Sequence, residues 1–268
     1  MKSIIDIFKE YSFLISIIYG VIGYLIGTVI PKISRSKIRK CLSLAKKDCK
    51  IILPSYEKEL HNYEDTVSMC PIGDIKAASN VIDLIYATGL YSHQKSIIYE
   101  SSYFDKFESY NIFCIGGSLA NKYSYDLFQQ FFPKFKIYAT KEKIDNNPNG
   151  IPKSHFVESK TKRGFCWGNL SNEEFLNNDD ERYAIIVKLS SEDFKIENHG
   201  TVHILFGNGI EGTLAISQYL LKNYEDLYKI VKKKKHYFIA FKIKKTTGII
   251  NPRSFVDLTD KMFIQSVN

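Results

Sequence analysis

Ile204-Leu-Phe-Gly-Asn-Gly-Ile-Glu-Gly-Thr213 is an apolar run of strand type that ends in glycines. Helical spacing of apolar residues follows, from Gly212 to about Lys232. The stretch Ile112-Phe-Cys-Ile-Gly-Gly-Ser-Leu-Ala-Asn121 repeats that grammar, and a helix pattern from about Leu119 to Phe132 is stopped by Pro133. Working outward, Lys50–Pro54, Ser96–Tyr99, Phe135–Ala139, Tyr183–Leu189 and His236–Lys244 read as further strands. The last of these alternates as if one face were wet. Ile72 to Thr88 reads as a helix ended by Gly89, with Asp74 as its expected cap. Strands that are continuous apolar runs, alternating with helices, predict an open, largely parallel, doubly wound α/β sheet covered on both faces.

Two segments fall outside this alternation. Residues 140–181, with Asn146, Asn147, Pro148, Asn149, Gly150 and Pro152, read as an irregular insertion with a hairpin near Trp167. Tyr11 to Ile30 holds no charged or amide side chain. As a helix those residues would span a bilayer core. Lys32, Arg35, Lys37, Arg39 and Lys40 follow, and the positive-inside rule then puts the C-terminal part in the cytoplasm. The expected organisation is an external tail and single inner-membrane helix over 1–31, a basic juxtamembrane linker over 32–49, and a cytoplasmic domain over 50–268. Ser12, Ser16, Gly20, Gly23 and Gly27 fall on one face of the apolar run, a pattern suited to self-association of the span and hence to a homo-oligomer.

Composition excludes several classes. The 268 residues are 44% hydrophobic and 25% charged, which argues against bulk disorder. Five cysteines are too few and too odd in number for a disulfide scaffold. A mean hydropathy of -0.18 excludes a polytopic membrane protein. The net charge is +8, but the five cations after the apolar run account for much of it, and a basic cluster there sets topology and meets anionic lipid. No nucleic-acid polymer is expected as a partner.

The chemistry is expected at the two glycine loops. In doubly wound sheets ligands sit beyond the carboxyl ends of the strands, where glycine amides and a helix N-terminus favour phosphate. Gly116, Gly117, Ser118 and Asn121 from one loop, with Gly207, Asn208, Gly209, Glu211, Gly212 and Thr213 from the other, form the candidate ligand set. Neither loop is a Walker A motif. The second has the Gly-x-Gly-x-x-Gly spacing, but late in the chain and without an acid at a following strand end, so an ordinary dinucleotide fold is disfavoured. Tight strand–helix turns without a ligand are the plain alternative. Glu211 and Asp74 are the acid/base candidates were the chain an enzyme; dipole pairing and capping are their ordinary roles. Lys162, Arg163 and Trp167 are placed to cover the pocket. The histidines show no metal spacing, His203 and Cys114 read as core residues, and neither a metal nor a resident cofactor is expected.

Ile51-Ile-Leu-Pro54, Asp74 at a helix start, Ile115-Gly-Gly-Ser118-x-x-Asn121 and Gly209-x-x-Gly212-Thr213 together resemble the Rossmann-like SLOG and CARF-type nucleotide sensors of prokaryotic antiviral systems, which occur fused to transmembrane helices or effector domains. The resemblance covers residues 50–245 at the level of fold and short motifs. It implies a domain that binds a nucleotide-derived signal and passes it to a membrane helix. The acidic signature of the enzymatic relatives is missing, so catalysis is not implied. A membrane-tethered enzyme acting on a nucleotide or NAD, and a scaffold without a small ligand, are the competing expectations.

Overall fold

The computed structural model describes residues 17–44, 47–59, 66–89, 96–100, 110–146, 151–167, 174–194 and 200–263. Its centre is a seven-stranded sheet in the order β13-β12-β10-β11-β5-β1-β4. These strands are β1 Cys49–Leu53, β4 Ser96–Glu100, β5 Asn111–Ile115, β10 Glu181–Leu189, β11 Val202–Gly207, β12 Tyr237–Lys244 and β13 Ile250–Asp257. Strands β4, β1, β5 and β11 pair in parallel. Strands β10, β12 and β13 continue the sheet through antiparallel pairings. The sheet is therefore mixed: β12 runs with the parallel four, and β10 and β13 run against them.

Three helices cover one face: α1 Ile30–Leu42, α2 Ile72–Ala87 and α5 Ile210–Val231. Successive residues of a strand point to opposite faces, so Ile51, Leu53, Phe113, Ile115 and Leu205 meet these helices. Ile52, Ile112, Cys114, Ile204 and Phe206 point the other way. There they meet α3 Lys122–Phe131, α6 Thr259–Phe263 and residues of a second sheet. The double coverage explains the apolar runs at 51–53 and 112–115 and the burial of every residue of β1 and β5, Lys50 and Asn111 included. Phe128 is at the heart of the second layer, with ring contacts to Phe132, Phe135, Phe206 and Phe238.

That second sheet corrects the expectation of an irregular insertion. It has four strands in the order β7-β6-β8-β9: β6 Phe135–Ala139, β7 Phe156–Glu158, β8 Gly164–Trp167 and β9 Glu174–Leu176. A short helix, α4 Lys141–Asp145, and a 3-10 turn at Lys153–His155 complete it. The stretch before Ser68 also carries an antiparallel hairpin, β2 Tyr56–Glu59 with β3 Thr66–Met69. The wet face expected of β12 is confined to its end, where Lys242 is half-buried and Lys244 exposed; Tyr237, Ile239 and Phe241 pack into one layer of the core, and Phe238 and Ala240 into the other.

The segment read as a basic linker is mostly helix, and it is docked. Ile38, Cys41 and Leu42 of α1 lie in the core, Lys37 pairs with Glu225 of α5 at 3.1 Å, and Arg39 donates to the Thr88 carbonyl at 2.8 Å. Helical backbone continues upstream from α1 through a π-helical turn at Leu25–Val29 to Ile17. Ile17, Ile18, Tyr19, Val21, Ile22, Tyr24, Leu25 and Ile26 there are all exposed. Nothing lies within 4 Å of where a side chain would start at Gly20, Gly23 or Gly27. Ser12 and Ser16 lie outside the described residues, as does the first part of the expected span. Among the described residues no helix is long and apolar enough to cross a membrane.

Candidate functional site

Both glycine loops open into one cleft of about 390 Å³ at the carboxyl ends of β5 and β11. Gly116 follows β5 and holds φ at 92°, and Gly209 follows β11 at 90°. Side chains rarely adopt this left-handed region, so glycine is needed at both turns. The Gly116 amide is spent on the Leu205 carbonyl at 2.9 Å, which ties the first loop to β11. Gly117 lies so close to Phe206 that an added Cβ would sit 2.8 Å from the ring.

The candidate residues separate into three groups. Gly116, Gly117, Ser118, Gly207, Asn208, Gly209 and Thr213 line the cleft, and Asp74 joins them from α2. Asn121 does not: its side chain caps α3, accepting from the Tyr123 and Ser124 amides and donating to the Ile52 and Ile115 carbonyls. That exhausts the bonding capacity of one carboxamide, so the role is structural. Gly212 is also structural. It packs against Gly207, and a Cβ on it would sit 2.7 Å from the Gly207 Cα. Glu211 is on the surface beside the cleft, paired with Arg182 at 2.9 Å, and is not among the lining residues.

Asp74 is not the expected cap. Pro71 precedes α2 and no side chain caps it. Asp74 lies in the first turn, buried at the cleft, where loss of solvent pushes its carboxyl up to about 6. Lys162 and Arg163 line the cleft as expected, whereas Trp167 is buried on β8 and does not. His203 is buried and stacked on Phe113, with its pKa lowered to about 3 by burial and, secondarily, by Lys188. Cys114 is buried within β5.

One contact at the cleft carries no signal in the amino-acid pattern. Ser118 Oγ lies 2.8 Å from His155 Nε2, and the Gln129 amide nitrogen lies 3.1 Å from His155 Nδ1. Gln129 donating to Nδ1 leaves the ring proton on Nε2, where Ser118 accepts it. The serine proton is then free for a ligand. Burial, aided by Lys136, lowers the His155 pKa to about 4, so the ring is neutral near pH 7 and a weak base. Between its ordinary value of 6.5 and about 4 the unfolded chain binds a proton that this folded ring refuses. Stability carried by the neutral ring is therefore present above pH 6.5 and lost as pH falls through that window. Thermal melts of His155→Gln are expected to show a shallower loss from pH 6.5 to 4 than the parent; an unchanged slope would contradict it.

The walls of the cleft are Phe135, Ile137, Tyr138, Phe165 and Phe206, and its rim holds Lys143, Lys160, Lys162 and Arg163. Apolar walls with a few polar groups and a cationic rim suit a small anion carrying a ring. Among the described residues no cluster of histidine, cysteine and carboxylate side chains could hold a metal ion. No family model, curated protein or solved structure matches the chain.

Proposed function

We propose that the chain is a membrane-anchored sensor of a nucleotide-type signal, which couples ligand binding to association of N-terminal helices. The observation that carries this reading is the convergence of two strand–glycine–helix loops on one cleft with a cationic rim. The route from that cleft is continuous. Helix α5 starts at Gly209 and packs on α1, and helical backbone runs from α1 back to Ile17. The apolar run at 11–30 is proposed to span the inner membrane once, with the N-terminus outside. Exposed apolar residues around that helix and the open surfaces at Gly20, Gly23 and Gly27 support a cover of lipid or of a second copy. Kinship with the SLOG and CARF-type sensors, and an antiviral output through membrane disruption, belong to the same proposal.

Ligand would act by population shift: it must bind one arrangement of the chains better than the other. A tethered hydrolase is the second reading, favoured by Asp74, a buried carboxyl at the cleft whose pKa is pushed up to about 6 by loss of solvent. Full-length protein in detergent should be incubated with NAD and with mono-, di- and cyclic nucleotides, and its bound small molecules released by heat for mass spectrometry. Expected is an intact nucleotide together with a rise in cross-linked oligomer. Gly23→Leu with Gly27→Leu is expected to keep the nucleotide and lose that rise. A chemically altered nucleotide would establish the hydrolase instead, and an empty cleft across the panel would overturn both.

A further inference from the structure

The cleft continues past the glycine loops into a polar trough of about 550 Å³. The two share Lys143, Lys160, Arg163, Asn177, Asn208 and Gly209, so they form one continuous depression. Their characters differ. The cleft has aromatic and aliphatic walls, whereas every side chain lining the trough is polar or charged. Its cations come from distant parts of the chain: Lys143 from α4, Lys160 and Arg163 from the connection between β7 and β8, Arg182 from β10, and Lys245 just past β12.

Arg182 is engaged by Glu211. Lys143, Lys160, Arg163 and Lys245 form no ion pair among the described residues. Among the described residues, Asp179 is the only carboxylate lining the trough. Four like charges around one depression repel one another, and a ligand that neutralises several of them relieves that repulsion. One phosphate at the glycine loops would leave most of them uncompensated.

We propose that the ligand carries one ring and at least two phosphoryl groups. The ring rests against Phe135, Phe165 and Phe206, and the phosphoryl chain runs from the glycine loops into the Lys160–Lys245 trough. This rests on the nucleotide reading above and goes further, since a monophosphate would satisfy that reading. Exposed ion pairs contribute less than about tenfold each, so a graded series is expected rather than a single switch.

The test is calorimetric titration of the full chain in detergent, without divalent cations, at low and moderate salt. The probes are the adenosine and guanosine mono-, di- and triphosphates and inorganic tripolyphosphate. Each added phosphate is expected to tighten binding by about threefold to tenfold, more so at low salt. Lys245→Glu and Thr161→Glu change residues that line only the trough; together they are expected to flatten the series while the monophosphate changes by less than about threefold. Both side chains are at the surface, so an unchanged melting temperature verifies the fold. Equal affinity for one, two and three phosphates would overturn the inference and leave the cleft reading standing. Equal losses for mono- and triphosphate in the double variant would do the same. Tripolyphosphate binding as tightly as the nucleoside triphosphates would overturn the role of the ring. Failure of every nucleotide to bind would remove the cleft reading and this one together.

Discussion

Gly207→Val is expected to destabilise the protein by about 3 kcal/mol or more, or to prevent its accumulation. Gly207 ends β11 and Gly212 lies in the first turn of α5, and a Cβ at 207 would press on the backbone of Gly212 and lie 2.9 Å from the Tyr183 carbonyl. Backbone cannot rotate away as the tip of a long side chain can. The strand and helix would have to separate, and α5 carries much of the core on its side of the sheet: Ala215, Ile216, Tyr219, Leu220 and Leu227 are buried there. For a chain of this size the melting temperature should drop by roughly 6–12 °C. Gly248→Ala is the control. Nothing lies within 4 Å of a Cβ at that position, so its only strain is a backbone φ of 64° and its effect should be smaller. A Gly207→Val protein that melts with the parent would show that the close approach of β11 and α5 is not needed.

Phe128→Ala is expected to cost about 3–5 kcal/mol, lowering the melting temperature by roughly 10 °C. The side chain is fully buried and meets four phenylalanines, from α3 and its end, β6, β11 and β12. Removing it leaves a cavity that ring-packed neighbours cannot easily fill. Phe135 and Phe206 are also cleft walls, so ligand binding should weaken alongside stability. Phe128→Leu keeps most of the volume and should lose about 1.5 kcal/mol or less. Equal melting temperatures for the alanine and leucine variants would mean that the cluster is loosely packed.

The central sheet was legible because its strands are buried on both faces, which leaves continuous apolar runs such as Ile51-Ile-Leu53 and Ile112-Phe-Cys-Ile115. Of the second sheet, β6 and a hairpin near Trp167 were legible, but not β7 or the pairing that joins them. Strands β7 and β9 have three residues each, too short to show a period, and β7 pairs in parallel with β6 across an intervening helix and turn. Glycine spacing located the cleft, since β5 and β11 are neighbours in the sheet and both end in a glycine turn at the same edge. It did not separate residues that face a ligand from those that hold the loops in place. Asn121 and Gly212 belong to the second kind, and only packing shows that. The trough was hidden for another reason. Lys143, Lys160, Arg182 and Lys245 are spread over a hundred positions, and the topology alone brings them together. The nearest sequence signal was Lys160-Thr-Lys-Arg163.

Helix α5 has 22 residues, which makes it a rod of about 33 Å. One end carries Gly209 at the cleft, and the other half holds Glu225 against Lys37 of α1. Considered as a lever pivoting at the cleft, a tilt of ten degrees would carry its far end about 6 Å, close to one helical pitch. Asn223 interrupts the rod with non-helical angles of φ -127° and ψ 25°, just before the contact with α1. The lever therefore has an elbow next to its load. If ligand moves the glycine loops as proposed, the stiffness of that elbow sets how much of the movement reaches the N-terminal helix and how much is absorbed on the way.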